Sequence, residues 1–125
     1  MISHIDHLVL TVVSLERTCS FYERVLRFER KDMPGKPSSL SFGSCKLNVH
    51  EIGQTFEPKA HAPTPGSGDF CFITTEPLED VLKHLHAEGV TLEEGPIKRS
   101  GAQGEMISVY FRDPDQNLVE ISRYL

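Results

Sequence analysis

A chain of 125 residues, 38% hydrophobic and 25% charged, has the make-up of a soluble globular protein, with room for one compact domain or two small modules sharing a core. A net charge of −5 with no basic run argues against nucleic acid or an anionic membrane as a partner. No apolar stretch approaches the about 20 residues that cross a bilayer, and the N-terminus carries no secretory-signal pattern.

The first element is "IDHLVLTV", a strand over about Ile5–Val12. Its alternation puts Leu8, Leu10 and Val12 on one side and His7, Val9 and Thr11 on the other. His7 is therefore either a satisfied core histidine or a side chain aimed into a cavity. Ser14 then caps a helix in which Leu15, Cys19, Tyr22 and Leu26 recur at helical spacing. A short strand over Phe28–Asp32 and a Pro34-Gly35 turn lead to a hairpin of Ser39–Phe42 and Cys45–Ile52, joined near Gly43-Ser44.

Residues 53–68, "GQTFEPKAHAPTPGSG", read as a linker between a first module of about 3–52 and a second of about 69–124. After the linker the pattern restarts. Asp69–Thr74 is a strand, and Pro77 opens a helix striped by Leu78, Val81, Leu82 and Leu85 and closed by Gly89. Strands follow over Val90–Glu93, Met106–Arg112 and Leu118–Arg123, and the Gly-rich "KRSGAQGE", 98–105, reads as a mobile loop. Setting His7 against Asp69 brings Leu8/Phe70, Leu10/Phe72 and Val12/Thr74 into phase, the mark of an internal duplication. Three cysteines form an odd, widely spaced set; Cys19 and Cys71 lie in apolar patterns as small reduced hydrophobes, which suits a reducing compartment such as the cytoplasm.

This order of elements, with "HIDHLVLTV" before a helix, the helix-ending "HAEGV" and above all "VYFRDPDQNLVEIS", resembles the vicinal oxygen chelate superfamily, the glyoxalase/bleomycin-resistance/dioxygenase fold. The resemblance covers residues 3–124 and is greatest to small single-chain glyoxalase-like proteins, among them the glyoxalase domain-containing protein 5 group. It implies an α+β fold of two βαβββ modules whose mixed sheet curls around a pocket, in a chain that forms a homodimer. One position departs from the family pattern. Gln116 stands in the Asp113–Asn117 turn where Gly is usual, and Gln tolerates positive φ poorly, so a slightly altered turn is expected.

The resemblance also implies where chemistry sits. Metal ligands in the family come from first and last strands of the modules, which here offers His7, Asp69 and Glu120, with Asn48 or His50 from the last strand of the first module. Asp69 stands where many relatives have histidine. One imidazole and two carboxylates make an oxygen-rich, open site suited to a divalent ion, with Mg, Mn, Fe, Ni and Zn all compatible. Glu120 is a mid-strand carboxylate between Val119 and Ile121, expensive to bury without a role or a partner, and is the candidate catalytic base. Thr11, Ser108, Tyr110 and Ser122 share the strand faces of these residues and are further pocket candidates, each with an ordinary structural role as the alternative. Lys98 or Arg99 would meet an anionic substrate from the loop. His84 and His86 lie on the second helix, and His4 and His61 have no motif around them.

Two classes of function follow. One is a divalent-metal-dependent lyase or isomerase acting on a small oxygenated metabolite, thiol-conjugated ones included, with ring-cleaving oxygenation as a related chemistry. The other is a metal-free protein of the same fold that binds and sequesters a small molecule; the absence of Trp and the 8% aromatic content count against a stacking platform.

Overall fold

The computed structural model describes residues 1–125. It divides into two compact units, Met1–Ser67 and Gly68–Leu125. Unit one contains strand β1 (His7–Val12), helix α1 (Leu15–Leu26) and strands β2 (Glu29–Lys31), β3 (Ser38–Phe42) and β4 (Cys45–Glu51). Unit two repeats the order with β5 (Asp69–Ile73), α2 (Leu78–Ala87), β6 (Glu94–Gly101), β7 (Gly104–Arg112) and β8 (Leu118–Tyr124). The two four-stranded mixed sheets have equivalent topology, β1-β4-β3-β2 and β5-β8-β7-β6, with the first strand of each module parallel to its last. These are the two βαβββ modules expected from the repeat.

Local chemistry explains the elements. Ser14 caps α1 by accepting from Arg17 N at 3.2 Å, and Glu51 from the end of β4 accepts from Leu15 N at 2.8 Å, so two oxygens serve the helix's free donors. Thr18, Cys19, Tyr22 and Val25 of α1 are buried, and so are Leu40, Leu47 and Val49 of the sheet. In unit two Val81 and Leu85 of α2 and Val109, Phe111, Val119 and Ile121 of the sheet form the core. Burial pushes the Cys19 thiol up to about 11, as expected of an inert core cysteine.

Several expectations are corrected. Leu8 is 44% exposed although its phase matches Leu10 and Val12, because β1 is an edge strand and has a neighbour on one side only. Val90–Glu93 is not a strand; the strand is β6, which starts at Glu94 and contains Gly95-Pro96. Proline reads as a breaker in sequence, but an edge strand tolerates its missing donor, and the register shifts between Glu94 and Ile97. Gly95 has φ +104 and any Cβ there would collide with the Ser108 carbonyl oxygen. Most of 98–105 is also strand rather than loop: Gly101 pairs with Gly104 in a tight hairpin. Gln116 adopts φ 70, so the turn keeps a left-handed residue without glycine.

Candidate functional site

Pairing across each sheet sets side chains in rows on one face. In unit two the register places Asp69 beside Leu118 and Arg112, Cys71 beside Glu120 and Tyr110, and Ile73 beside Ser122 and Ser108. The intervening residues Val109, Phe111, Val119 and Ile121 are buried on the other face. The sequence alternation thus delivers Glu120, Ser122, Ser108 and Tyr110 to one surface, as expected.

That surface is wired. Glu120 Oε2 accepts from Ser122 Oγ at 3.0 Å, and Ser122 Oγ lies 2.6 Å from Ser108 Oγ and 3.3 Å from Cys71 Sγ. Ser108 and Ser122 are fully buried. Arg99 Nε donates to Tyr110 Oη at 3.0 Å, its guanidinium lies 5.5 Å from the ring centroid, and its Nη2 donates to Glu94 at 3.2 Å. Burial pushes the Tyr110 hydroxyl up, with Glu120 acting in the same direction and Arg99 against it. Burial also raises the Cys71 thiol; its bond to Ser122 opposes this, and Glu120 and Asp69 reinforce it. Two further residues, Cys71 and Arg99, join this face. Cys71 is not core: it alternates with Phe70 and Phe72, a phase visible in "DFCFI". Arg99 sits on a strand, masked by the glycines around it.

The Asp113–Asn117 turn positions the start of β5. Asp113, 3% exposed, accepts from Asp115 N, Asn117 N and Asn117 Nδ2 at 2.9, 3.0 and 2.8 Å. Asn117 Oδ1 in turn accepts from Gly68 N at 2.6 Å, immediately before Asp69. Asp69 itself is exposed.

Unit one has a matching face with different chemistry. His7 lies beside Lys46, Val9 beside Asn48 and Ser39, and Thr11 beside His50. His7 is an exposed imidazole whose Nδ1 is 2.8 Å from Asp6 Oδ2. Thr11 and His50 are buried, and the His50 ring packs 5.4 Å from Phe56. Asn48 Oδ1 and His50 Nδ1 are buried without a hydrogen-bond partner. Burial, with help from Lys59, lowers the His50 imidazole below its ordinary range and keeps it neutral.

Nowhere do three or more His, Cys, Asp or Glu side chains gather in a group that could hold a metal ion. The donor set implied by the resemblance therefore does not fit a site formed within one chain as folded here. No helix is long and apolar enough to cross a membrane.

Comparison with known proteins agrees with the architecture. Residues 4–121 match the model of the Glyoxalase/Bleomycin resistance protein/Dioxygenase superfamily. The virulence protein STM3117 of Salmonella typhimurium is 49% identical over 125 residues, covering 100% of this chain and 87% of that protein. Its crystal structure superposes with a TM-score of 0.97, covering 100% of this chain and 99% of that one. The glyoxalase domain-containing protein RDO1 of Mycosarcoma maydis is 45% identical over 120 residues, 96% of this chain and 68% of that one. A lactoylglutathione lyase from Agrobacterium tumefaciens, 23% identical with a TM-score of 0.75 over 98% of this chain and 95% of that one, shares the fold. The chain belongs to the glyoxalase/bleomycin resistance protein/dioxygenase superfamily.

Proposed function

We propose that the chain is a glyoxalase-like enzyme of the lyase/isomerase type, with Glu120 as the proton-transferring residue. Its substrate is a small oxygenated metabolite, thiol-conjugated ones included. The observation that carries this reading is a half-buried mid-strand carboxylate served by a hydroxyl donor on a face shared with Tyr110 and Arg99. An acceptor-only carboxylate so placed removes a proton from carbon next to a carbonyl and returns it to the neighbouring atom. In this reading Ser108, Tyr110 and Ser122 line the Glu120 face, and Thr11, Asn48 and His50 are the candidate pocket residues of the first module. The likeness to the glyoxalase domain-containing protein 5 group and a reducing, cytoplasmic setting belong to it as well.

The resemblance implies a divalent ion on His7, Asp69 and Glu120; since these side chains form no metal-holding group, no step of the proposal passes through one. A second copy of the chain is the proposed partner. β1 and β5 are edge strands that expose Leu8, Val9 and Ile73, and exposed apolar edges are normally covered. Light scattering on the purified protein reads this directly.

The test pairs wild type with Glu120→Gln. Divalent content, Mn²⁺ affinity and turnover of the hemithioacetal of methylglyoxal and glutathione are measured on both. Stoichiometric binding and turnover that the variant loses support the enzyme. No binding and no turnover by wild type, with stability unchanged or raised in the variant, supports the second reading: a metal-free small-molecule binder. The buried, unpartnered Asn48 Oδ1 and His50 Nδ1 favour that alternative, since such groups await a hydrogen-bond partner.

A further inference from the structure

The hydroxyl chain beneath Glu120 has a direction that simple accounting of protons determines. A serine hydroxyl has one proton and two lone pairs, and an ionised carboxylate only accepts. Ser122 Oγ is 3.0 Å from Glu120 Oε2, so its single proton goes there. Ser108 Oγ at 2.6 Å must then donate into a lone pair of Ser122, while the Cys71 thiol, 3.3 Å from Ser122 Oγ, has Ser122 and Glu120 as acceptors. Ser122 has no proton left for another acceptor, and Ser108 and Ser122 are sealed from water. On the other side Arg99 Nε occupies a lone pair of Tyr110 Oη, leaving that hydroxyl's proton to be donated, with Glu120 directly across the ladder.

We propose that Ser122 is a positioning residue for Glu120, with Ser108 acting through it, so that a one-way donor chain ends on Oε2 and orients the carboxylate. Oε1 is thereby the oxygen presented for proton transfer. The chain also polarises as a unit, each donor strengthening the next. The functional meaning rests on the role proposed for Glu120; the donor chain does not.

The test uses ligand-free protein labelled with ¹³C-glutamate, the Glu120 carboxyl resonance being assigned by its loss in Glu120→Gln. Ser122→Ala is expected to shift that resonance and Ser122→Thr to keep it near its wild-type position. Ser108→Ala shifts it in the wild-type background but adds nothing in Ser122→Ala, the signature of action through Ser122. A Glu120 resonance indifferent to Ser122→Ala, or a Ser108→Ala shift that adds in full, overturns the proposal. Thermal melts verify that each variant folds, and Ser108→Ala probes the chain where Ser122 variants do not fold. With the methylglyoxal–glutathione hemithioacetal, Ser122→Ala lowers kcat about 10-fold with KM within about twofold, and Ser122→Thr restores it. Resonance shifts as described in a protein that leaves this probe unturned would retain the donor chain and discard the enzymatic reading.

Discussion

The two modules share one topology and one register, so their faces can be compared position by position. Asn48 occupies in unit one the place that Glu120 holds in unit two; likewise Ser39 matches Tyr110, His50 matches Ser122, and Val9 matches Cys71. The apolar faces are interchangeable in kind, Leu40, Leu47 and Val49 against Phe111, Val119 and Ile121. The polar faces are not. One carries a carboxylate with a hydroxyl donor directed onto it, and the other carries neutral polar atoms left without partners. A duplicated fold is thus held by one side of each sheet, which frees the other side to diverge chemically.

Breaking the shared part should hurt both modules alike. Phe111→Ala is expected to lower stability by about 4 kcal/mol and Leu40→Ala by about 3 kcal/mol in urea titrations, since each empties a fully buried site. A module that shrugged off its substitution would show that its core is not what holds it. The turns sharpen the contrast. Asp113→Ala removes three hydrogen bonds to a buried carboxylate and should cost about 2–3 kcal/mol, whereas Glu51→Ala, which frees one helix donor, should cost about 1 kcal/mol.

The smallest effect has a pH signature. The His50 imidazole titrates below its ordinary value of 6.5 in the folded chain, so the unfolded chain takes up its proton first. The His50 contribution is flat above about pH 7. It turns against folding as pH falls through 6.5, and levels off only below the lowered folded value. His50→Leu removes an unpartnered nitrogen and should change stability at pH 8 by no more than about 0.5 kcal/mol while abolishing that slope. Urea midpoints between pH 5 and 8 read both; an unchanged slope would show that His50 is not its source.

Much of this was legible in the residues. The period-two alternation of "SVYF" and "LVEIS" assigns Ser108, Tyr110, Glu120 and Ser122 to one face, because strand geometry permits no other sorting. The Asp113–Asn117 run announces its turn through side chains that hydrogen-bond locally. What stayed hidden depends on partners distant in sequence. β6 contains Gly95-Pro96, signals of a break that edge position overrides, and its strand status comes only from pairing with β7. Cys71 reads as core in the sequence because its flanking phenylalanines dominate the local hydropathy. The unpartnered Asn48 and His50 could not be read at all, since satisfaction of a polar group is a property of its surroundings.

The most direct measurement sets the equivalent positions against each other. Turnover of the methylglyoxal–glutathione hemithioacetal is compared among wild type, Glu120→Gln and Asn48→Ala, each verified as folded by circular dichroism. Loss of at least about 100-fold in Glu120→Gln against less than about 10-fold in Asn48→Ala is the predicted result. Equal losses, or full activity in Glu120→Gln, would contradict the assignment of proton transfer to the second module.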